Sequence, residues 1–299
     1  MFLIVNPEAG AKSASDRFAR LLPRLIEGGR LQGFSYVSEL RQVQERLANR
    51  PSSLGAAPLI VAVGGDGTVR HVAEALLALP EREGAVLGIL PFGNGCAVAA
   101  ELGLSDLEVA LRVLRHPRYR TIDLLAVTAQ HGDGSTSVYH GLGSLYLGAL
   151  ATLAAALGRG RGRAWWRLSK ALLFSPRPEV ELAYYGDVDR RRVGLLIVRC
   201  CARVSGTRLL LPARPLEDGL AVMDLWFRSS RLELLAGLDL SAAARPPRKG
   251  PDRSVTLSRV EVRAVRGRPF PWCLDGDAQP PALSLDIEIV PRRLTVAVP

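Results

Sequence analysis

Residues 59–77 read LIVAVGGDGTVRHVAEALL. Five consecutive apolar residues, Leu59 to Val63, run into Gly64, Gly65, Asp66, Gly67 and Thr68, and an amphipathic pattern with Val69, Val72, Ala73, Leu76 and Leu77 on one face begins at once. An apolar run with no polar alternation is a strand buried on both faces, and such strands sit in parallel sheets covered by helices. The surrounding sequence repeats the unit. Strand patterns at Phe2–Val5, Phe34–Val37 and Val86–Leu90 alternate with helical patterns at 13–27, 39–49, 95–102 and 106–115. This spacing predicts an α/β domain: a parallel sheet with flanking helices.

After Arg120 the pattern changes. Short β-rich runs at 137–140, 180–185, 193–200, 221–227, 255–262, 283–290 and 294–298 are separated by turn clusters such as Gly186-Asp187 and Glu217-Asp218-Gly219. They predict a mostly antiparallel β-sandwich with helical insertions near 144–173 and 230–240. The expected division is 1–119 and 120–290, with a last strand near 291–299 that periodicity leaves free to join either part. The uncharged run 141–158 reaches the lower length limit of a membrane span, but its glycines and small residues suit a buried helix or an apolar wall better.

The formal charge is +10, and only Lys12, Lys170 and Lys249 among the 39 basic residues are lysines. A basic excess suits nucleotides, nucleic acid or an anionic membrane. Arginine is spread along the whole chain, which argues against a nucleic-acid patch. The N-terminus has no basic flank ahead of its apolar run, and the four cysteines have no C-x-x-C spacing. The expectation is a cytoplasmic protein with free thiols.

In a parallel sheet ligands bind outside the carboxyl ends of the strands. Three proposed strands end there in glycine turns: VNPEAG at 5–10, GGDGT at 64–68 and LPFGNG at 90–95. Glycines let backbone N–H groups approach phosphate closely, and each turn opens a helix. Asp66 is the odd member, because a carboxylate repels phosphate. It calls for a Mg²⁺ ion, a hydrogen bond to ribose or adenine, or a helix-capping role. Neither G-x-G-x-x-G nor a Walker A lysine is present. Further on, Asp275 and Asp277 share a face if the segment is extended, whereas LDGDAQPP also suits a hairpin turn with both carboxylates in solvent.

These residues resemble the diacylglycerol kinase catalytic family, which includes bacterial lipid kinases and the sphingosine and ceramide kinases and is related to NAD kinases. NPEAG, GGDGT and LPFGNG carry the resemblance, and GLGS (141–144), LPARPLEDGLAVMDLW (211–226) and CLDGD (273–277) extend it along nearly the whole chain. It implies an NAD-kinase-like first domain, MgATP as phosphoryl donor and a lipid alcohol as acceptor, diacylglycerol-like or sphingoid-like. It implies nucleotide contacts at Asn6, Pro7, Glu8, Ala9, Gly10, Ser38, Gly64, Gly65, Asp66, Gly67, Thr68, Val69, Arg70 and Asn94. It implies that Asp275 and Asp277 deprotonate or orient the acceptor hydroxyl. It also implies a bracing Mg²⁺ site at Pro215, Asp218 and Leu220.

The family motifs are altered at His71, Asn94, Cys96 and Asp277, which motivates a second reading as a catalytically silent nucleotide- or lipid-binding regulator. No acidic residue stands where the family recognises an amino lipid; Ala149 occupies that neighbourhood. RGRGRAWWR (159–167), with Trp165 and Trp166 among arginines, is the candidate for peripheral docking on the inner membrane surface. A homodimer is left open.

Overall fold

The computed structural model describes residues 1–10, 14–37, 40–48, 58–79, 84–93, 95–157, 175, 177–205, 207, 209–230, 233 and 250–299. The chain forms two compact units, Met1–Ile122 with Arg292–Pro299, and Asp123–Pro291. Ser38, Asn94 and the 159–167 segment lie outside the described residues.

In the first unit β1 (Phe2–Val5), α1 (Ala14–Glu27), β2 (Gly33–Tyr36), α2 (Leu40–Ala48), β3 (Leu59–Gly64), α3 (Asp66–Leu77) and β4 (Val86–Pro91) alternate. Two short helices follow, α4 (Ala97–Glu101) and α5 (Leu107–Arg115). The strands lie in the order β2-β1-β3-β4, all parallel. Ile60, Val61, Ala62 and Val63 are fully buried, as a strand covered on both faces requires. The chain's last residues return here: Val296 pairs in parallel with Leu87 of β4. Asp106 caps α5 by accepting from the N–H groups of Glu108 and Val109.

The second unit is mostly antiparallel. It comprises β5 (Arg118–His131, which begins in the first unit), β6 (Thr136–Gly141), β7 (Ser144–Gly148), α6 (Ala149–Leu157), β8 (Glu179–Tyr184), β9 (Asp187–Arg192) and β10 (Leu195–Arg199). It continues with β11 (Ala221–Trp226), β12 (Arg253–Leu257), β13 (Arg259–Ala264), β14 (Phe270–Leu274) and β15 (Asp277–Val298). One row runs β12-β11-β10-β7-β14-β15, and β15 also pairs with β13, which leads to β8 and β9. The first part of β15 takes β14 and the part around Ser284–Glu288 takes β13.

Several elements depart from the sequence expectation. β5 is a 14-residue strand where no run was expected. Its first four residues, Arg118–Thr121, are exposed or half-buried, and the buried run that follows carries Asp123, so it shows no clean alternation to read. DVDRRR forms β9 because it pairs with β8 residue for residue, not because it has an apolar face. The expected strand 255–262 is two strands turning at Ser258, and 283–290 with 294–298 is one 22-residue strand. Pro280, Pro281 and Pro291 read as breakers, yet β15 accommodates them. The helix expected from 144 starts only at Ala149: Ser144–Gly148 is β7, buried throughout between β10 and β14. Among the described residues no helix is long and apolar enough to cross a membrane.

Candidate active site

The three glycine turns of the first unit meet at one edge of its sheet. Asn6, just past β1, accepts the Glu8 N–H on its side-chain oxygen at 2.9 Å and donates through Nδ2 to Thr68 Oγ1 at 3.0 Å. The N–H groups of Phe92 and Gly93 donate to the Gly64 carbonyl at 2.9 and 3.1 Å. Asn6, Gly64, Thr68 and the turn before Asn94 are therefore tied directly to one another, while Pro7, Glu8 and Ala9 form the loop that leads to Gly10.

Close backbone approach is what the glycines allow. Gly10 has φ +78°, and a Cβ there would stand 2.5 Å from the Phe92 carbonyl oxygen. A Cβ on Gly93 would stand 2.3 Å from the Gly65 Cα, closer than any side chain tolerates. Gly93→Ala is expected to force the two turns apart and destabilise the protein by about 1–3 kcal/mol, read as a lower urea midpoint at unchanged slope.

Asp66 answers its own question. Its carboxylate is buried, and its two oxygens accept the N–H groups of Ala97 (3.0 Å) and Val98 (3.1 Å). It begins α3 but caps α4, a helix 31 residues further on. The N-cap residue of α4 is Cys96, held in the left-handed region at φ +46°. Cys96 Sγ lies 3.3 Å from the Gly93 carbonyl, so it supplies no capping oxygen, and Asp66 does. The carboxylate in GGDGT thus draws the third turn onto the second.

Arg70 is buried and ion-paired with Glu74 one turn on, at 3.0 Å. Its Nη2 lies 2.9 Å from His71 Nε2. The guanidinium is directed along α3 toward Glu74, a partner visible in the sequence as an i,i+4 pair. Val69 is core, 2% exposed. Arg17, which sequence reasoning passed over, sits on α1 with Nη1 3.3 Å from the Phe92 carbonyl and its Cζ 4.4 Å from the centre of the Phe92 ring.

In the second unit CLDGD is a hairpin turn joining β14 to β15, with Leu274 paired to Asp277. Asp275 and Gly276 both have positive φ, +49° and +90°, as a type I′ turn demands. Asp275 is nevertheless not in solvent. It is 1% exposed, and its carboxylate accepts three backbone N–H groups of the GLGS segment, from Leu142 (2.7 Å), Gly143 (2.8 Å) and Ser144 (2.9 Å). Two motifs 130 residues apart in sequence are one structural feature. Asp277 is partly exposed. Burial pushes the neighbouring Tyr146 hydroxyl far above its ordinary value and the Cys273 thiol up to about 12, so neither is a proton acceptor.

The Asp218 loop is closed by protein groups. Asp218 is ion-paired with Arg214 at 2.5 Å and accepts the Leu220 N–H at 3.1 Å. The Gly219 N–H donates to the buried Asp123 at 2.7 Å, and Arg214 also reaches Thr256 Oγ1. Asp218, which with Glu217 makes up the carboxylates of the Pro215–Leu220 segment, already carries the Arg214 guanidinium. Among the described residues no group of three or more His, Cys, Asp or Glu side chains is arranged to hold a metal.

Comparison with known proteins agrees with this geometry. Residues 1–127 match the family model of the diacylglycerol kinase catalytic domain. The diacylglycerol kinase of Bacillus subtilis (strain 168) is 27% identical over 226 residues, covering 73% of this chain and 70% of the relative. A "probable lipid kinase YegS-like" protein of Serratia proteamaculans (strain 568) is 46% identical over 87 residues, 28% of each chain. The crystal structure of a diacylglycerol kinase from Bacillus anthracis str. Sterne superposes with a TM-score of 0.67 at 17% identity, covering 100% of this chain and 96% of that one. Yeast NADH kinase complexed with NADH gives 0.57 at 13% identity, with 100% and 83% covered. At these identities the structures establish the fold, an α/β parallel-sheet part and a β-rich antiparallel part. Over residues 1–127 the chain is thus similar to the diacylglycerol kinase catalytic domain.

Proposed function

We propose that the protein is a lipid kinase that binds ATP through the turns around Asn6–Gly10, Gly64–Thr68 and Phe92–Asn94 and transfers the γ-phosphoryl group to a lipid hydroxyl. The observation that supports this most is the convergence of three glycine turns in the first unit, with Asp66 spent on holding them together. Phosphoryl transfer needs positioned phosphates and an oriented nucleophile more than covalent participation by the protein. Gly10, Gly64, Gly65, Gly67 and Thr68 supply the positioning; Asn6 and Asp66 fix the shape of the cradle. Ser38 and Asn94 keep the nucleotide contacts that the family resemblance implies for them.

The two carboxylates of the second unit take different roles in this reading. Asp275, saturated by three backbone donors, is a positioning residue that locks the GLGS segment to the hairpin. Asp277, partly exposed at the head of β15, accepts the acceptor hydroxyl's proton as its oxygen attacks the γ-phosphorus and ADP leaves with the bridging oxygen. The substrate is a neutral, diacylglycerol-like lipid. In support, Ala149, standing where an amino lipid would need a carboxylate, is 2% exposed within an apolar cluster of Tyr146, Leu150, Leu195 and Trp226. Magnesium enters as the counter-ion of ATP. The Asp218 loop serves as a brace closed by Arg214, and no step is routed through a metal there.

The test is transfer of label from γ-labelled MgATP to vesicles containing diacylglycerol, followed by extraction into organic solvent. Asp277→Asn is expected to lower kcat by about 10²–10⁴ while MgATP affinity, measured by calorimetry, stays within a factor of two. Full activity in that variant would remove Asp277 from the chemistry. Nucleotide binding without turnover on any lipid alcohol would favour the regulator reading. No MgATP binding by folded protein at millimolar nucleotide would overturn the nucleotide site.

A further inference from the structure

We propose that Arg17 is a phosphate-positioning residue of the nucleotide site, taking the place of the lysine that other phosphate-binding loops carry. The proposal rests on the nucleotide reading above and adds a residue that no glycine motif contains.

Three observations carry it. The first is place. The Phe92 carbonyl is where the first and third turns touch: a Cβ on Gly10 would stand 2.5 Å from its oxygen and 3.8 Å from Arg17 Nη1. The guanidinium is therefore at the rim of the glycine turns, although Arg17 is on α1. The second is pre-organisation. Nη1 donates to the Phe92 carbonyl at 3.3 Å, and the Cζ lies 4.4 Å from the centre of a ring that is itself 1% exposed. A cation stacked on a fixed ring, with one N–H already committed, gives up little further freedom when it binds an anion. The third is charge. Arg17 is exposed, and among the described residues no carboxylate forms an ion pair with it. The glycine turns carry two carboxylates: Asp66 is turned inward onto Ala97 and Val98, and Glu8 is exposed in the first turn, where no ion pair joins it to Arg17. Arg70, the cation within the motif itself, is buried against Glu74. Arg17 thus offers remaining N–H groups and a positive charge beside the cradle, where Arg70 is already paired with Glu74. A guanidinium binds phosphate oxygens through two parallel N–H bonds, which sets orientation as well as affinity.

The competing account is a staple that holds α1 against the β4 turn. Calorimetry with ATP, ADP, AMP and adenosine on wild type, Arg17→Met and Arg17→Lys separates the two. Methionine keeps an apolar stem over Phe92 and removes the charge. Positioning predicts that Arg17→Met loses about tenfold or more in ATP affinity, that adenosine affinity is unchanged, and that the dependence of ATP affinity on salt becomes shallower. Arg17→Lys is expected to recover part of the loss. A staple predicts that ATP and adenosine affinities fall together with the melting temperature, and that outcome overturns the proposal. So does ATP affinity equal to wild type in Arg17→Met. If wild type itself binds ATP no better than adenosine, the phosphate cradle reading fails with it, and the arginine variants are not needed to see that.

Discussion

Asp275→Ala is expected to lower the stability of the protein by about 3–5 kcal/mol and to abolish phosphoryl transfer. The stability term follows from burial and donor count. The carboxylate is 1% exposed and satisfies three backbone N–H groups within 2.9 Å. Each buried N–H left without an acceptor costs about 1–3 kcal/mol, and partial hydration of the new cavity recovers some of the sum. A second cost comes from the backbone, since Asp275 has φ +49°, a region aspartate enters more readily than alanine. For a chain of this size the melting temperature is expected to fall by roughly 10 °C. Asp275→Asn is isosteric but turns an acceptor into a donor facing an N–H, so an intermediate loss is expected. The check is urea unfolding of all three proteins, with activity measured well below the lowered midpoint. A midpoint unchanged in Asp275→Ala would mean that GLGS is held by something other than this turn.

The second large effect is expected at the buried pair of Arg199 and Asp224, each 2% exposed in its side chain. Arg199 Nε donates to Asp224 Oδ2 at 2.7 Å, and its Nη1 donates to the Pro212 carbonyl at 2.6 Å. Asp224 Oδ1 accepts from Ser254 Oγ at 2.5 Å. This links β10, β11 and β12 to the segment that leads into the Asp218 loop. Asp224→Ala strands a guanidinium in the interior and is expected to cost about 3–5 kcal/mol. Removing both charges is different, because neither partner is then left unpaired. Arg199→Met with Asp224→Leu is expected to be more stable than either single variant, since desolvation offsets most of what such a pair contributes. A double-mutant cycle in urea reads the coupling directly. Additive losses would show that the pair is not energetically coupled, whatever its geometry.

The parallel sheet and its turns were legible because their signals are local. Leu59–Val63 is apolar on both faces and closed by glycine, and its burial follows from that pattern alone. The free ends of β1, β3 and β4 on one edge follow from parallel order. What escaped was strand pairing, both across the tight turn between Tyr184 and Asp187 and between distant segments. β9 is a strand because β8 is beside it, and β15 runs through three prolines because its partners change along its length. The Leu274–Asp277 hairpin was readable as Asp-Gly turn chemistry, but its burial was not, because the donors that bury it come from residues 142–144.

Aspartate 66 shows where the boundary lies. The sequence by itself determined that a carboxylate sits among glycines at a strand end, and that it needs a partner other than phosphate. It left open a cation, a sugar and a helix end, because a motif specifies a side chain's chemistry and not its direction. Tertiary structure decided the direction, since the two N–H groups that receive it belong to Ala97 and Val98, more than 30 residues away. The same holds for Arg17, brought by the packing of α1 to a turn with which it shares no motif, whereas the partner of Arg70 lies one turn along its own helix. Periodicity and turn chemistry are read along the chain. The assignment of donors to acceptors is made only when segments far apart in sequence are desolvated against each other.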